Sequence, residues 1–350
     1  MTMKIFVYES ITGGGSGSST IAPTLLAEGR MMLEALLADL ICVENHQLVA
    51  LIDRGQVGRI TPHPRLLIKE VRRDYHHAFG KMVEETDATL VIAPERAGLL
   101  EGLTSIVEAK GKIVLGSSSV AVKTAGNKAL TYQALKASGI PTPQTHPVRD
   151  SDDVVALARH LGYPVVVKPL DGVGCQGVFV VRHETGLRRA IAAASRETGQ
   201  GIQLMQPFVR GVHASVSLLT NGVTGLPLTL NLQEIRGRTR LSYCGGRVPL
   251  EHPLRELAFQ RAEEVVQAIP GLKGYVGIDM VLTDRDAVVI EVNPRLTTSY
   301  VGARKVVRQN LGAMILRAAT GDLPGPGGIE IVGRASFSTR SKLTLTSGPR

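Results

Sequence analysis

Gly277-Ile278-Asp279-Met280-Val281 and Ile290-Glu291-Val292-Asn293-Pro294-Arg295 decide how this chain is read. Each run is apolar enough to be a strand, and each carries an acid where a buried strand seldom has one without a partner. If the strands are adjacent and antiparallel, with Thr283–Asp286 as the turn, Asp279 and Glu291 fall close together. Asn293 lies two residues beyond Glu291 and so projects to the same face. Two carboxylates and an amide oxygen on one patch are hard ligands suited to Mg²⁺, or Mn²⁺ in its place, which keeps waters and accepts substrate phosphates. The competing reading is a strand-end acid paired with Arg295 and an Asn-Pro turn.

Upstream, Val165-Val166-Val167-Lys168 and Val178-Phe179-Val180-Val181 flank the loop Asp171–Gly177. A lysine there can hold phosphate oxygens, and glycines at 172, 174 and 177 let backbone N–H groups approach them. No G-x-x-x-x-G-K-[ST] loop occurs. Asn127-Lys128 opens a helix some forty residues earlier. Between loop and hairpin, Met205-Gln206-Pro207-Phe208-Val209-Arg210-Gly211 runs from a strand into a bend whose backbone suits an adenine edge or an interdomain connection.

Further out, residues 1–118 alternate strand and helix patterns, which indicates a parallel sheet covered on both faces. Ile5–Glu9, Thr89–Ala93 and Lys112–Gly116 read as strands, Leu25–Leu40 as a helix, and Thr12–Thr20 as a loop. A helical stretch between the last two strands is broken at Gly102-Leu103-Thr104. Ser151 or Asp152 should cap a helix through His160. Another helix spans Glu184–Glu197, one runs over Pro253–Ala268, and a single helix covers Val301–Thr320. Arg236, Arg238, Arg240 and Tyr243-Cys244-Gly245-Gly246 read as a loop beside the cleft. His76-His77 read as solvated.

Composition bounds the partners. Residues 1–118 hold 12 Lys/Arg against 14 Asp/Glu, residues 119–320 hold 24 against 15, and residues 321–350 hold 4 against 2. That basic excess suits an anionic ligand. With no Trp and 4% aromatic residues, a base-stacking platform is hard to build, so a small anion is expected rather than nucleic acid. No apolar run reaches the ~20 residues of a membrane helix, and no signal peptide is evident, so a cytoplasmic, membrane-free chain is expected. Cys42, Cys175 and Cys244 support neither a disulfide framework nor a zinc site.

Asn-Lys, Val-Lys-Pro with its glycine loop, the Gln-Pro-Phe-Val hinge and Asp…Glu-x-Asn-x-Arg occur in one order over residues ~117–320. That order resembles the ATP-grasp superfamily. The resemblance implies an α/β chain with an N-terminal doubly wound domain (1–118), a small lid region (119–205), a C-terminal α+β core (206–325) and a tail (326–350) whose packing stays open. It implies ATP between lid and core. Lys128 and Lys168 would contact phosphates, with Gly172, Gly174 and Gly177 closing over them. Gln206, Phe208 and Val209 would frame adenine, Asp279, Glu291 and Asn293 would bind the metal, and Arg295 would hold the substrate carboxylate and its acyl phosphate. Where many members carry a Glu beside the ribose, this chain has His213, which puts that contact in doubt.

Within the superfamily, Val7-Tyr8-Glu9, Glu28-Gly29-x-Met31-Met32, Ala93-Pro94-Glu95, Gly211–Ser217, Gly245-Gly246-x-Val248-Pro249 and Asn293–Tyr300 resemble the tyramine–glutamate ligases of methanofuran and methylofuran biosynthesis. This implies an ATP-dependent carbon–nitrogen ligase acting on a small carboxylate and an amine, with ADP and phosphate released. Alternatives are a carboxylase that phosphorylates bicarbonate, a non-catalytic ATP-binding module and a nucleic-acid-binding protein. Homo-oligomerisation stays open.

Overall fold

The computed structural model describes residues 2–15, 22–72, 74–172, 174–199, 201–325, 327–339 and 345–348. The N-terminal sheet contains β1 (Met3–Glu9), β2 (His46–Asp53), β3 (Leu66–Val71), β4 (Ala88–Ile92) and β5 (Ile113–Val114). All its pairings are parallel, in the order β3-β2-β1-β4-β5. The helices α1 (Pro23–Ile41), α2 (Tyr75–Glu84) and α3 (Leu99–Ala109) pack on it. Strand order reverses between β1 and β4, the switch point where open α/β sheets hold ligands outside their carboxyl ends.

α4 (Ser119–Gly126) and α5 (Lys128–Ala137) lead to a four-stranded sheet. Its strands are β6 (His146–Val148), β7 (Val165–Pro169), β8 (Phe179–Val181) and β9 (Gln203–Pro207), in the order β6-β9-β7-β8. The helices α6 (Val154–Leu161) and α7 (Leu187–Thr198) complete this unit. The remainder forms a seven-stranded antiparallel sheet from β10 (Val212–Thr220), β11 (Gly225–Arg236), β12 (Ser242–Val248), β13 (Gly274–Leu282), β14 (Ala287–Asn293), β15 (Arg334–Ser338) and β16 (Leu345–Gly348). On it pack α8 (Arg255–Ala268), α9 (Ser299–Val306) and α10 (Leu311–Ala319). One continuous core joins this sheet to the first through α1, α9 and α10, with Leu33, Leu36, Leu40, Tyr300 and Ile315 buried in it. Asp39 of α1 ties that junction. Its carboxylate accepts from the Tyr300 hydroxyl and from Arg304 Nε at 2.9 Å.

Several sequence expectations are corrected. Gly102-Leu103-Thr104 does not break α3, because burial of Leu100, Leu103 and Val107 offsets the roughly 1 kcal/mol cost of a mid-helix glycine. Asp153, not Ser151 or Asp152, caps α6 by accepting from Ala156 N. Residues 301–320 are two helices. Asn310 adopts an extended backbone, caps α10 through Ala313 N and donates to Asp39 O, so its amide competes with helix continuation. The Gly245-Gly246 pair lies inside β12 rather than in a loop. A Cβ at Gly245 would stand 2.1 Å from the Phe337 carbonyl, and one at Gly246 2.5 Å from that of Leu232. These glycines mark close backbone approach, not a turn. The tail, left open, adds β15 to the edge of β12 and β16 beyond it.

Candidate active site

β13 and β14 pair antiparallel with Asp279 opposite Glu291 and Gly277 opposite Asn293. A bulge follows, since Met280 pairs with Val289 and Ile290 is left over. Directly opposed residues place Cβ atoms only ~5 Å apart. Thus the hairpin expected from sequence brings Asp279, Glu291 and Asn293 together. Gln233 of β11 and Asn293 both hydrogen-bond the Asp279 carboxylate. Burial, then the neighbouring Glu291, nevertheless push Asp279 well above the usual carboxylate range. A divalent cation would remove this penalty.

Two lysines face the carboxylates. Asn127 caps α5 with its side chain, accepting from Ala129 N and Leu130 N, and so fixes Lys128 in the first turn. The Lys128 ammonium stands 3.1 Å from Glu291 Oε1 and donates to the Gly172 carbonyl at 3.3 Å. Lys168, on β7, is 4% exposed, and its Nζ makes no hydrogen bond among the described residues. Burial lowers it to about 8, against the pull of Glu291. A buried ammonium without an acceptor is costly. Phosphate oxygens would meet that need, and the metal between them and the carboxylates would balance the charge. The residues present therefore fit Mg·ATP.

The glycine loop lines the same cleft through Gly172, Gly174, Cys175 and Gln176. Gly174 and Gly177 take left-handed backbones, with φ of 62° and 70°, whereas Gly172 does not. Gly177 donates its amide to Glu197. Burial, then the Glu291 and Asp279 charges, push the Cys175 thiol up to about 12, so it is no nucleophile. In the hinge, the Gln206 side chain is committed to Thr145 Oγ1 at 2.6 Å, and the Phe208 amide donates to the Pro164 carbonyl at 2.9 Å. Both line the cleft, but these two groups serve the fold before any ligand arrives. Val209 and His213 lie alongside, and burial holds His213 below its ordinary value.

Arg295 leaves the hairpin toward the N-terminal sheet. Its Nε and Nη2 donate to the two Glu95 oxygens at 2.9 and 2.8 Å, and Nη1 donates to the Leu296 carbonyl. The pair is nearly dry, with side chains 11% and 6% exposed. Three of the five guanidinium protons are engaged, and two remain for a ligand. Glu95 follows β4, and Glu9 ends β1, so both stand at the switch point. Glu9 accepts from Ile11 N, Thr12 N and Thr12 Oγ1 at 2.8–3.0 Å, and burial raises its pKa. Glu9, Glu95 and Gln233 were not expected to build the site. The first two were visible as acids following apolar strands, but their convergence on Arg295 depends on tertiary structure. Of the Arg236–Arg240 cluster, Arg240 pairs with Glu197 and lines the cleft, while Arg236 pairs with Glu234 at the surface. Residues 16–20 of the glycine–serine loop lie outside the described residues; Gly13 and Gly15 turn back on Glu9 O and Ser10 O. The whole cleft encloses about 620 Å³ between the three sheets.

Comparison with known proteins agrees with this architecture. Residues 125–299 match the ATP-grasp domain family, and residues 57–122 match the pre ATP-grasp 3 domain. Tyramine–L-glutamate ligase from Methanocaldococcus jannaschii is 31% identical over 302 residues, 85% of this chain and 84% of that protein. Among solved structures, an ATP-grasp superfamily protein from Archaeoglobus fulgidus superposes with a TM-score of 0.73 at 23% identity over 100% of both chains. Biotin carboxylase from Campylobacter jejuni does so with a TM-score of 0.74 at 17% identity, over 96% of this chain and 75% of that one. No helix among the described residues is long and apolar enough to cross a membrane. A parallel sheet, a small antiparallel sheet and a large antiparallel sheet meeting at this cleft, with the family match over 125–299, place the chain in the ATP-grasp family.

Proposed function

We infer that the chain is an ATP-dependent carboxylate–amine ligase, and propose that it joins glutamate to tyramine through an acyl phosphate. The observation that carries the phosphoryl-transfer reading is the buried, unpartnered Lys168 ammonium facing Asp279 and Glu291, with Lys128 beside it. The substrate assignment is supported by the relative from M. jannaschii, whose name states that reaction.

A carboxylate does not react usefully with an amine at neutral pH, because oxygen is a poor leaving group until it is phosphorylated. Mg²⁺ held by Asp279, Glu291 and Asn293 would supply charge neutralisation across the phosphates. Lys168 and Lys128 hold γ- and β-phosphate oxygens, and the glycine loop's amides close over them. Arg295, braced by Glu95, presents its two remaining protons to the substrate carboxylate, which lies within reach of the γ-phosphorus. Positioning and exclusion of water supply the rate. Gln206, Phe208, Val209 and His213 form the adenine and ribose wall. Residues 1–118, 119–205 and 206–325 serve as substrate, lid and core units.

Release of ADP from ATP, measured over a matrix of amino acids and amines, tests this. Glutamate plus tyramine should give stoichiometric ADP, phosphate and amide, and neither substrate alone should do so. ADP formation that needs bicarbonate instead of an amine would favour the carboxylase alternative and end the ligase assignment.

A further inference from the structure

The cleft is unevenly charged. At its phosphate end stand Lys128 and Lys168, and at its middle Arg295. At its far end α1 contributes Leu25, Glu28 and Met32, which share one helix face by their i−3 and i+4 spacing. Ile11, Ile92 and Tyr243 close the same end. It is mostly apolar, and the Tyr243 phenol is turned to Thr298.

Glu9 and Glu28 line this end, Glu95 stands behind Arg295, and two of the three are fully engaged. Glu9 is bonded by Thr12 and Ile11, and Glu95 by both arms of Arg295. Glu28 has neither a hydrogen bond nor an ion pair among the described residues, although it is largely buried. Burial pushes it up to about 7, with the Arg295 charge opposing. Gly29, next in the helix, lets the Glu9 carboxylate approach so closely that a Cβ there would lie 2.6 Å from it. The helix is thus seated tight on β1, and Glu28 cannot retreat by moving α1 outward without opening that contact. A carboxylate kept unpaired in an apolar niche costs stability, and the complement it lacks is a cation on an apolar body.

We propose that Glu28 is the docking site for the ammonium group of the acceptor amine, whose apolar body lies against Leu25, Met32 and Tyr243. This rests on the ligase reading and extends it to the second substrate. Asp279 and Glu291 at the phosphate end already face Lys128 and Lys168, and Arg295 is held by Glu95, so the acid left for an ammonium is Glu28, and the amine enters at the α1 end and meets the acyl carbon across Arg295. Glu28 takes one proton from the ammonium. The freed nitrogen lone pair forms the C–N bond as the C–O bond to phosphate breaks, and the second nitrogen proton leaves with phosphate.

The test compares tyramine with tyrosol, its neutral hydroxyl analogue, by calorimetric titration of the full chain and of Glu28→Gln. The wild type should bind tyramine at least tenfold more tightly than tyrosol, and Glu28→Gln should lose that preference while binding tyrosol as before. KM for tyramine should rise at least tenfold and KM for glutamate should not change. Hydroxylamine, largely neutral at pH 7, reports the first half-reaction separately: ATP-dependent glutamyl hydroxamate should form equally in both proteins. A wild type without preference for tyramine, or a variant that keeps it, overturns the proposal. So does a variant that raises only the KM for glutamate, because Glu28 would then hold the amino group of the acid. Absence of hydroxamate from the wild type would count against glutamate as the acid, and the tyramine–tyrosol comparison would still judge Glu28.

Discussion

At the scale of single residues, the site is a set of charges whose partners are shared or missing. Glu291 is the acid on which most depends, since it faces Asp279, holds Lys128 and draws on Lys168. Glu291→Gln keeps volume and removes charge, so turnover should fall at least ~10²-fold with far-ultraviolet dichroism unchanged. Activity within a fewfold of wild type would remove Glu291 from the metal set. Glu95→Gln should act differently. It leaves the buried Arg295 with an uncompensated charge, and breaking a dry pair from one side costs about 3–5 kcal/mol. Chemical denaturation should show that loss together with a raised KM for the acid. Glu28 has the opposite sign. Its folded-state pKa of about 7 stands above its ordinary 4.5, so the folded chain binds more protons than the unfolded one between those values. Stability therefore falls as pH rises from about 4.5 to 7, and the penalty is fully present above 7. Glu28→Gln should be more stable than wild type at pH 8, by on the order of 1–2 kcal/mol, and no more stable at pH 4.5. Equal stability of the two proteins at pH 8 would mean that Glu28 is solvated or paired.

At the scale of elements, the glycine loop and the tail make contrasting expectations. In the loop 171–177 three glycines contribute no side chain, and Gly174, Cys175 and Gly177 take left-handed backbones. Few apolar contacts mean a low cost of local opening. Hydrogen exchange across it should slow when ATP and Mg²⁺ are added, and unchanged exchange would deny it a role as a lid. β15 is different, because Ala335 and Phe337 are buried and Phe337 packs on Gly246 and Gly302. Phe337→Ala should cost about 3 kcal/mol in urea unfolding. These elements also show what could be read in advance. The β13–β14 hairpin was legible because an acid in an apolar strand is rare and its two-residue offset to Asn293 fixes the face. Asn127-Lys128 was legible as the opening of a helix, which the Asn127 cap of α5 bears out. β12 was not, because glycines placed for close backbone packing look like turn glycines. The break between α9 and α10 was hidden because its contacts, Arg308 N to the Glu330 carbonyl and Asn310 to the Asp39 carbonyl, are with residues remote in the chain. β2 and β3 went unread although Leu48–Ile52 within β2 is an unbroken apolar run. The Glu95–Arg295 pair, 200 residues apart in the chain, leaves no local trace at all.

At the scale of the whole molecule, the order of the three sheets supports a prediction about which phosphorus is attacked. The carboxylates lie on the large antiparallel sheet, Lys168 comes from the small one and Lys128 from the helix between them. Arg295 projects from the large sheet to the acids at the switch point of the parallel sheet. With adenine at the wall proposed for Gln206–Val209, the triphosphate would run from the hinge past both lysines, and its last phosphate would be the one nearest Arg295. On this proposal a carboxylate held there would attack the γ-phosphorus and expel ADP. Adenylation would require the α-phosphorus, which the proposed orientation would keep near the hinge, and would yield AMP and pyrophosphate. Glutamate labelled with oxygen-18 in the reacting carboxylate should pass one labelled oxygen to inorganic phosphate for each amide formed. Label in AMP, or amide formed with no transfer of label, would exclude the acyl phosphate while leaving the fold untouched, because the sheets fix where groups stand and the label reports which bond breaks.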